Sequence, residues 1–113
     1  MLAEAQMKTL LEEAPLALFE PAAAFPPKEH SERTVQSGDV ALAVKTWGDP
    51  ARPTVVLVHG YPDNSEVWHE MAPMLARDYY VIAYDVRGAG QSSAPKGMRN
   101  YTFARLTDDF IAV

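Results

Sequence analysis

The residues best placed to do chemistry are His59-Gly60-Tyr61-Pro62, which follow directly on the apolar run Thr54-Val55-Val56-Leu57-Val58. That run is continuous and rich in β-branched residues, so it reads as a strand covered on both faces. Ligands of open α/β sheets bind beyond the carboxyl ends of the strands, which is where this tetrapeptide falls. Gly60 lets the backbone turn sharply and come close to a bound group. Pro62 fixes its own φ and makes a cis Tyr61–Pro62 bond accessible. Such a turn would aim the backbone N–H of Tyr61 into a site, with the Tyr61 ring lining its wall. A fixed backbone donor at a strand end is the requirement of an oxyanion hole. The same four residues also serve as a tight strand-to-helix connection that buries an aromatic. The tetrapeptide alone does not separate the two readings.

A second loop, Asp85-Val86-Arg87-Gly88-Ala89-Gly90-Gln91-Ser92, follows a second apolar run, Tyr79 to Tyr84. Its glycines imitate the dinucleotide-binding fingerprint. The third glycine is absent, however, and Asp85-Val86-Arg87 separates the glycines from the strand. Pro95 also stands where the phosphate-binding helix should be under way. A metal site from His59, Asp63 and His69 has no recognised ligand spacing, and no metal is expected.

The elements that must position these loops follow from periodicity. Arg33–Ser37 and Val40–Trp47 flank Gly38-Asp39, which predicts a β-hairpin. Residues 48–53 form a loop. Val67, Met71, Met74 and Leu75 recur at helical spacing between the two apolar strands, with Pro73 expected to kink or shift that helix. After the Gly/Ser/Pro-rich loop, Leu106, Phe110 and Val113 fall near one face of a second helix. Asp108 and Asp109 read as charges on its surface. A strand, a crossover helix and a second buried strand make a βαβ unit with a parallel pair. Ahead of all this, Met7, Leu10, Leu11 and Ala14 form a short helical stripe. Pro15, Pro21, Pro26 and Pro27 then mark a Pro/Ala-rich linker. The expected division is residues 1–32, helix and linker, and 33–113, an α/β domain.

The chain's 113 residues are 48% hydrophobic and 22% charged, ordinary for one small globular domain. A net charge of −5 with no Lys/Arg run sets nucleic-acid binding aside. The absence of cysteine excludes a disulfide scaffold and a thiolate zinc site. Charges from Glu4 onward interrupt any secretory pattern, and no apolar run approaches the ~18 residues of a membrane span. The expectation is a cytoplasmic protein with no membrane partner.

Taken together, "VVLVHGYP" and "YDVRGAGQSSAP" closely resemble the first part of α/β-hydrolases, in particular the epoxide hydrolase and haloalkane dehalogenase branch. His59-Gly60-Tyr61-Pro62 matches that branch's His-Gly-x-Pro motif, and Trp68 falls where such sequences often carry a tryptophan. The resemblance covers roughly residues 33–113. It implies the N-terminal half of an α/β-hydrolase sheet, an antiparallel hairpin followed by βαβ, preceded by the short helix and linker. It also implies that Tyr61 supplies one backbone donor of the oxyanion hole, with His59, Gly60 and Pro62 shaping the binding turn. Asp85, Arg87 and Gly88 would hold the second loop by hydrogen bonds and a tight turn.

In that family the nucleophile sits on a strand-to-helix elbow after the next strand, followed in chain order by the acid and then the histidine. No such elbow is read here. His30 lies in the linker and His69 on the first helix, so the expectation is an N-terminal fragment or truncated reading frame, inactive alone. With the rest of the fold, the resemblance implies an epoxide-opening enzyme that uses an alkyl-enzyme ester and takes a small apolar substrate (epoxide, halide or ester). It implies no cofactor. A serine nucleophile would make an esterase instead. The competing class is a non-catalytic, hydrolase-derived interaction module. Some hydrolases of this branch also continue into a short-chain dehydrogenase domain. Residues 54–58 are expected to form an open sheet edge through which the chain could self-associate.

Overall fold

The computed structural model describes residues 30–113. The stripe at Met7–Ala14 and most of the proline-rich stretch lie outside the described residues. Four strands form one sheet: β1 (Ser31–Ser37), β2 (Val40–Trp47), β3 (Thr54–Val58) and β4 (Tyr80–Tyr84). The spatial order is β1-β2-β4-β3. β1 and β2 are the expected hairpin, joined at Gly38-Asp39, although β1 begins at Ser31 rather than Arg33. β2 pairs antiparallel with β4, and β3 pairs parallel with it, which is the expected hairpin followed by βαβ.

The period-2 alternation of the strands divides the core into two layers. Trp47, Val55, Leu57, Val81 and Ala83 face one side, where Ala72, Leu75 and Ala76 cover them. Val40, Leu42, Val44, Ile82 and Tyr84 face the other side, with Val113 packed against them. The expectation that β3 is covered on both faces holds for only one. Val55 and Leu57 are buried, while Val56 and Val58 are half-buried. Among the described residues the outer edge of β3 has no partner strand.

The connection between β3 and β4 is not one continuous helix, in keeping with the kink or shift expected at Pro73. It is a 3-10 turn over Ser65–Trp68 followed by a short helix, α1 (Met71–Leu75). Pro73 is the cause. A helix running through from residue 65 would drive the proline ring into the carbonyl of His69, four residues back. Starting the helix at Met71 puts Pro73 in its first turn, where its missing N–H would have had no helical acceptor. The break rotates the apolar stripe. Val67 is 51% exposed and Met74 turns largely outward, while Ala72, Pro73 and Leu75 face the sheet.

The last helix, α2 (Phe103–Ala112), is capped by the Thr102 hydroxyl, which accepts from the Arg105 N–H at 3.3 Å. Here a second expectation fails. Asp108 is exposed, but Asp109 is only 1% exposed and points into the protein. No helix among the described residues is long and apolar enough to cross a membrane.

The layer assignment predicts that Leu57→Ala, at a fully buried site, costs about 2–5 kcal/mol. Val67→Ala should stay within about 0.5 kcal/mol. Urea unfolding of the two variants checks this, and equal losses would refute the placement of Val67.

Candidate active site

Val58 and Tyr84 are directly paired at the ends of the two parallel strands, so the loops that follow start side by side. His59 joins them. The Val86 N–H donates to His59 Nε2 at 2.9 Å, and His59 Nδ1 lies 2.9 Å from the Gly60 carbonyl oxygen. A backbone N–H can only donate, so Nε2 is the acceptor. Nδ1 therefore carries the hydrogen and donates to Gly60 O. With both ring nitrogens engaged, His59 is a tie between loops rather than a free base.

The Asp63 N–H also donates to Gly60 O, at 2.9 Å, closing a four-residue turn with Tyr61 and Pro62 at its apex. The Tyr61–Pro62 bond is cis. The Gly60–Tyr61 peptide is planar and trans, so its C=O and N–H point in opposite directions. Two donors fix that oxygen and thereby fix the direction of the Tyr61 N–H, which has no acceptor among the described residues. The Tyr61 ring does not line a wall as expected. It is 99% exposed.

The second loop is anchored at both ends of Val86. Asp85 Oδ1 accepts from the Ser65 N–H at 2.8 Å and Oδ2 from the Gln91 N–H at 3.0 Å. Arg87 forms a two-point pair with Asp109, Nε to Oδ2 and a terminal nitrogen to Oδ1, both 2.6 Å. Its other terminal nitrogen donates to Asn100 O at 2.7 Å. Gly88 (φ +85°) passes under Tyr101 so closely that a Cβ would lie 2.8 Å from the ring. Gly90 (φ +50°) lies against the Asp85 carboxylate, leaving no room for a Cβ.

The loop then returns along β2, where β4 has ended. Ser92 Oγ accepts from the Ala43 N–H at 2.9 Å and donates to the Asp85 carbonyl. Ser93 Oγ accepts from the Ala41 N–H at 3.0 Å. Gly90-Gln91-Ser92-Ser93-Ala94 does spell the small-x-Ser-x-small run of a nucleophile elbow. Ser92 is buried, bonded on both sides and not followed by a helix, so it is not held as a nucleophile.

Burial pushes both buried carboxyls upward, but their partners outweigh it. Backbone donors from Gln91 and Ser65 hold Asp85 below the ordinary carboxylate range. Hydrogen bonds from Arg87 and Ser37 do the same for Asp109. The Asp109 carboxylate raises Arg87 in turn. Beside the strand ends, Val58, Tyr84, Val86, Phe103, Leu106 and Phe110 line an apolar groove of about 330 Å³. His59 reaches that groove and Tyr61 does not. No cluster of three or more His, Asp or Glu residues among the described residues could hold a metal ion.

Sequence reasoning missed Asp109, Ser65, Ser92, Ser93 and Asn100. Only the serines carried a signal, since hydroxyls beside a turning strand commonly cap backbone groups.

Residues 53–112 match the family described as alpha/beta hydrolase fold. The chain is 46% identical over 90 residues to a Mycobacterium tuberculosis protein named Probable oxidoreductase EphD, covering 79% of this chain and 15% of that one. It is 39% identical over 84 residues to epoxide hydrolase A of the same organism, covering 74% of this chain and 26% of the relative. The crystal structure of epoxide hydrolase A from Mycobacterium thermoresistibile superposes with a TM-score of 0.70 at 39% identity, over 74% of this chain and 27% of that one. The chain thus spans about a quarter or less of these proteins.

The lowered carboxyls set the acid limb of stability. Each contributes stability above its unfolded pKa, about 4, and that contribution is lost as pH falls through the still lower folded value. Asp85→Asn should flatten this limb and cost about 1–3 kcal/mol at neutral pH, because an amide nitrogen would face a backbone donor. Gly90→Ala should cost about 1–3 kcal/mol by overpacking against the carboxylate. Urea unfolding followed from pH 7 down to pH 3 checks both, and a wild-type acid limb in Asp85→Asn would refute the assignment.

Proposed function

The chain belongs to the α/β-hydrolase family, and from that premise we propose that residues 59–62 supply the oxyanion donor of an epoxide hydrolase-like site. In this reading an aspartate outside these 113 residues opens a small apolar epoxide and forms an alkyl-enzyme ester. A histidine-activated water then attacks the ester carbonyl. The Tyr61 N–H donates to the oxygen that becomes negative in the tetrahedral intermediate. The observation that carries the proposal is the Tyr61 N–H at the carboxyl end of β3, without an acceptor among the described residues and with its direction fixed through Gly60 O. The identity to epoxide hydrolase A and the matching backbone of its thermoresistibile counterpart support the choice of chemistry. The name EphD describes a relative of which this chain spans 15%, so oxidoreductase chemistry is not assigned to these residues.

The described elements contain no strand-to-helix nucleophile elbow. On this reading the 113-residue chain alone should turn over none of an epoxide, haloalkane and p-nitrophenyl ester panel, and turnover that survives repurification would refute it. The decisive test is a chimaera in which residues 30–113 replace the matching part of the thermoresistibile epoxide hydrolase A. Tyr61→Phe keeps the backbone donor and should keep kcat. Tyr61→Pro removes the donor and should lower kcat by about 10²–10³. Equal activity of the two variants would remove the oxyanion role.

β3 is uncharged, half-buried on one face and, among the described residues, unpaired at its edge. Sedimentation of the 113-residue chain should show concentration-dependent association, and an ideal monomer at every concentration would exclude it.

A further inference from the structure

We infer that Asp109, on α2, is a positioning residue for the Tyr61 backbone donor, acting through Arg87, Val86 and His59. The inference rests on the oxyanion reading of Tyr61 above. The Arg87 and Asp109 side chains are 4% and 1% exposed and meet at two points. With Asn100 O as the third acceptor, the guanidinium has one position open to it. Val86 lies between two anchored neighbours, Asp85 held by both carboxylate oxygens and Arg87 held by its whole guanidinium. The Val86 carbonyl is taken as well, by the Ala89 N–H at 2.8 Å.

The Val86 N–H lies in one peptide plane with the Asp85 carbonyl, which accepts from Ser92 Oγ, and the Val86 carbonyl lies in the next; both planes are therefore held, and the N–H sets the tautomer and rotation of the His59 ring. The ring sets Gly60 O, and the planar peptide sets the Tyr61 N–H. A merely stabilising pair would hold α2 to the sheet without needing to sit next to Val86. This pair occupies the residue immediately after the donor that orients His59.

The test uses the isotopically labelled 113-residue chain. In the wild type, ring nitrogen shifts of His59 should show one neutral tautomer with the hydrogen on Nδ1, and Tyr61 should give one amide signal. Three variants are compared. Asp109→Asn breaks the two-point pair. Arg87→Met with Asp109→Leu removes the charges but keeps apolar packing. Leu75→Ala weakens the opposite core layer without touching the relay.

The first two should mix the His59 tautomers, multiply or broaden the Tyr61 signal and speed Val86 amide exchange at least tenfold. Leu57 and Val81 amides should stay protected. Leu75→Ala should change none of the His59 and Tyr61 signals. A wild-type His59 and Tyr61 pattern in the apolar double variant, or the same disturbance in Leu75→Ala, overturns the inference.

In the chimaera the same variants separate the effects again. Asp109→Asn and the double variant should lower kcat per folded molecule about tenfold to a hundredfold with KM unchanged, and Leu75→Ala should not. If the free chain shows no protected Leu57 and Val81 amides, this kinetic arm decides alone, and unchanged kcat overturns the inference. Failure of the oxyanion reading is distinguishable, because Tyr61→Pro would then be active while the His59 tautomer still responded to Asp109.

Discussion

A buried guanidinium must have its charge and its donors met, and in this chain that requirement ties α2 to the loop after β4. Arg87 is satisfied only if α2 brings Asp109 across the sheet and the turn before α2 presents Asn100 O. Asn100 Nδ2 donates in turn to Lys96 O at 2.6 Å, so the return of the loop is fixed by the same cluster. Removing one partner of such a pair costs about 3–5 kcal/mol, whereas replacing both by apolar residues is often neutral. What an apolar pair cannot reproduce is direction. Two hydrogen bonds in one plane fix both distance and rotation, and that is the property the neighbouring loop uses.

Direction matters because the sheet delivers both loops to one place. The parallel register brings Val58 opposite Tyr84, and antiparallel pairing with β2 sets the height at which β4 ends. Beyond that point the backbone groups of Ala41 and Ala43 would face nothing. Ser92 and Ser93 satisfy them and turn the loop back, which returns Gln91 N–H to Asp85. The backbone N–H groups of Ala41 and Ala43 and the Asp85 carbonyl are answered by Ser92 and Ser93, so the loop behaves as part of the sheet rather than as a mobile connection.

The strands were legible because their signal is local. Alternation or a β-branched run defines each strand, and Gly38-Asp39 marks the hairpin. The two loop motifs could be placed because they follow those strands directly. The first helix was read in part: the shift at Pro73 was legible, but Val67 and Met74, which share a helical spacing with Met71 and Leu75, turn outward because the steric conflict with residue 69 overrides periodicity. Asp109 was misread because, in Asp108-Asp109, nothing local tells the exposed carboxylate from the buried one. Its partner stands 22 residues away. The His59 tie was hidden more deeply, since its partner is the Val86 backbone N–H, and every residue but proline has one.

That last point explains why the proposed donor leaves so faint a trace. A backbone N–H is indifferent to the side chain it belongs to, and the Tyr61 ring lies in solvent. The sequence can record such a donor only through residues that fix its peptide plane: Gly60, Pro62, His59, and behind them Asp85, Arg87 and Asp109. None of these needs to touch a substrate. A site built on a main-chain dipole therefore spreads its requirements over residues that look structural one at a time, and their chemistry emerges only when the hydrogen bonds are followed from α2 back to β3. The same logic accounts for the burial of two carboxylates and a guanidinium in a small sheet: rigid aim of one N–H needs fixed charge and planar hydrogen bonds, which apolar packing of similar volume does not provide.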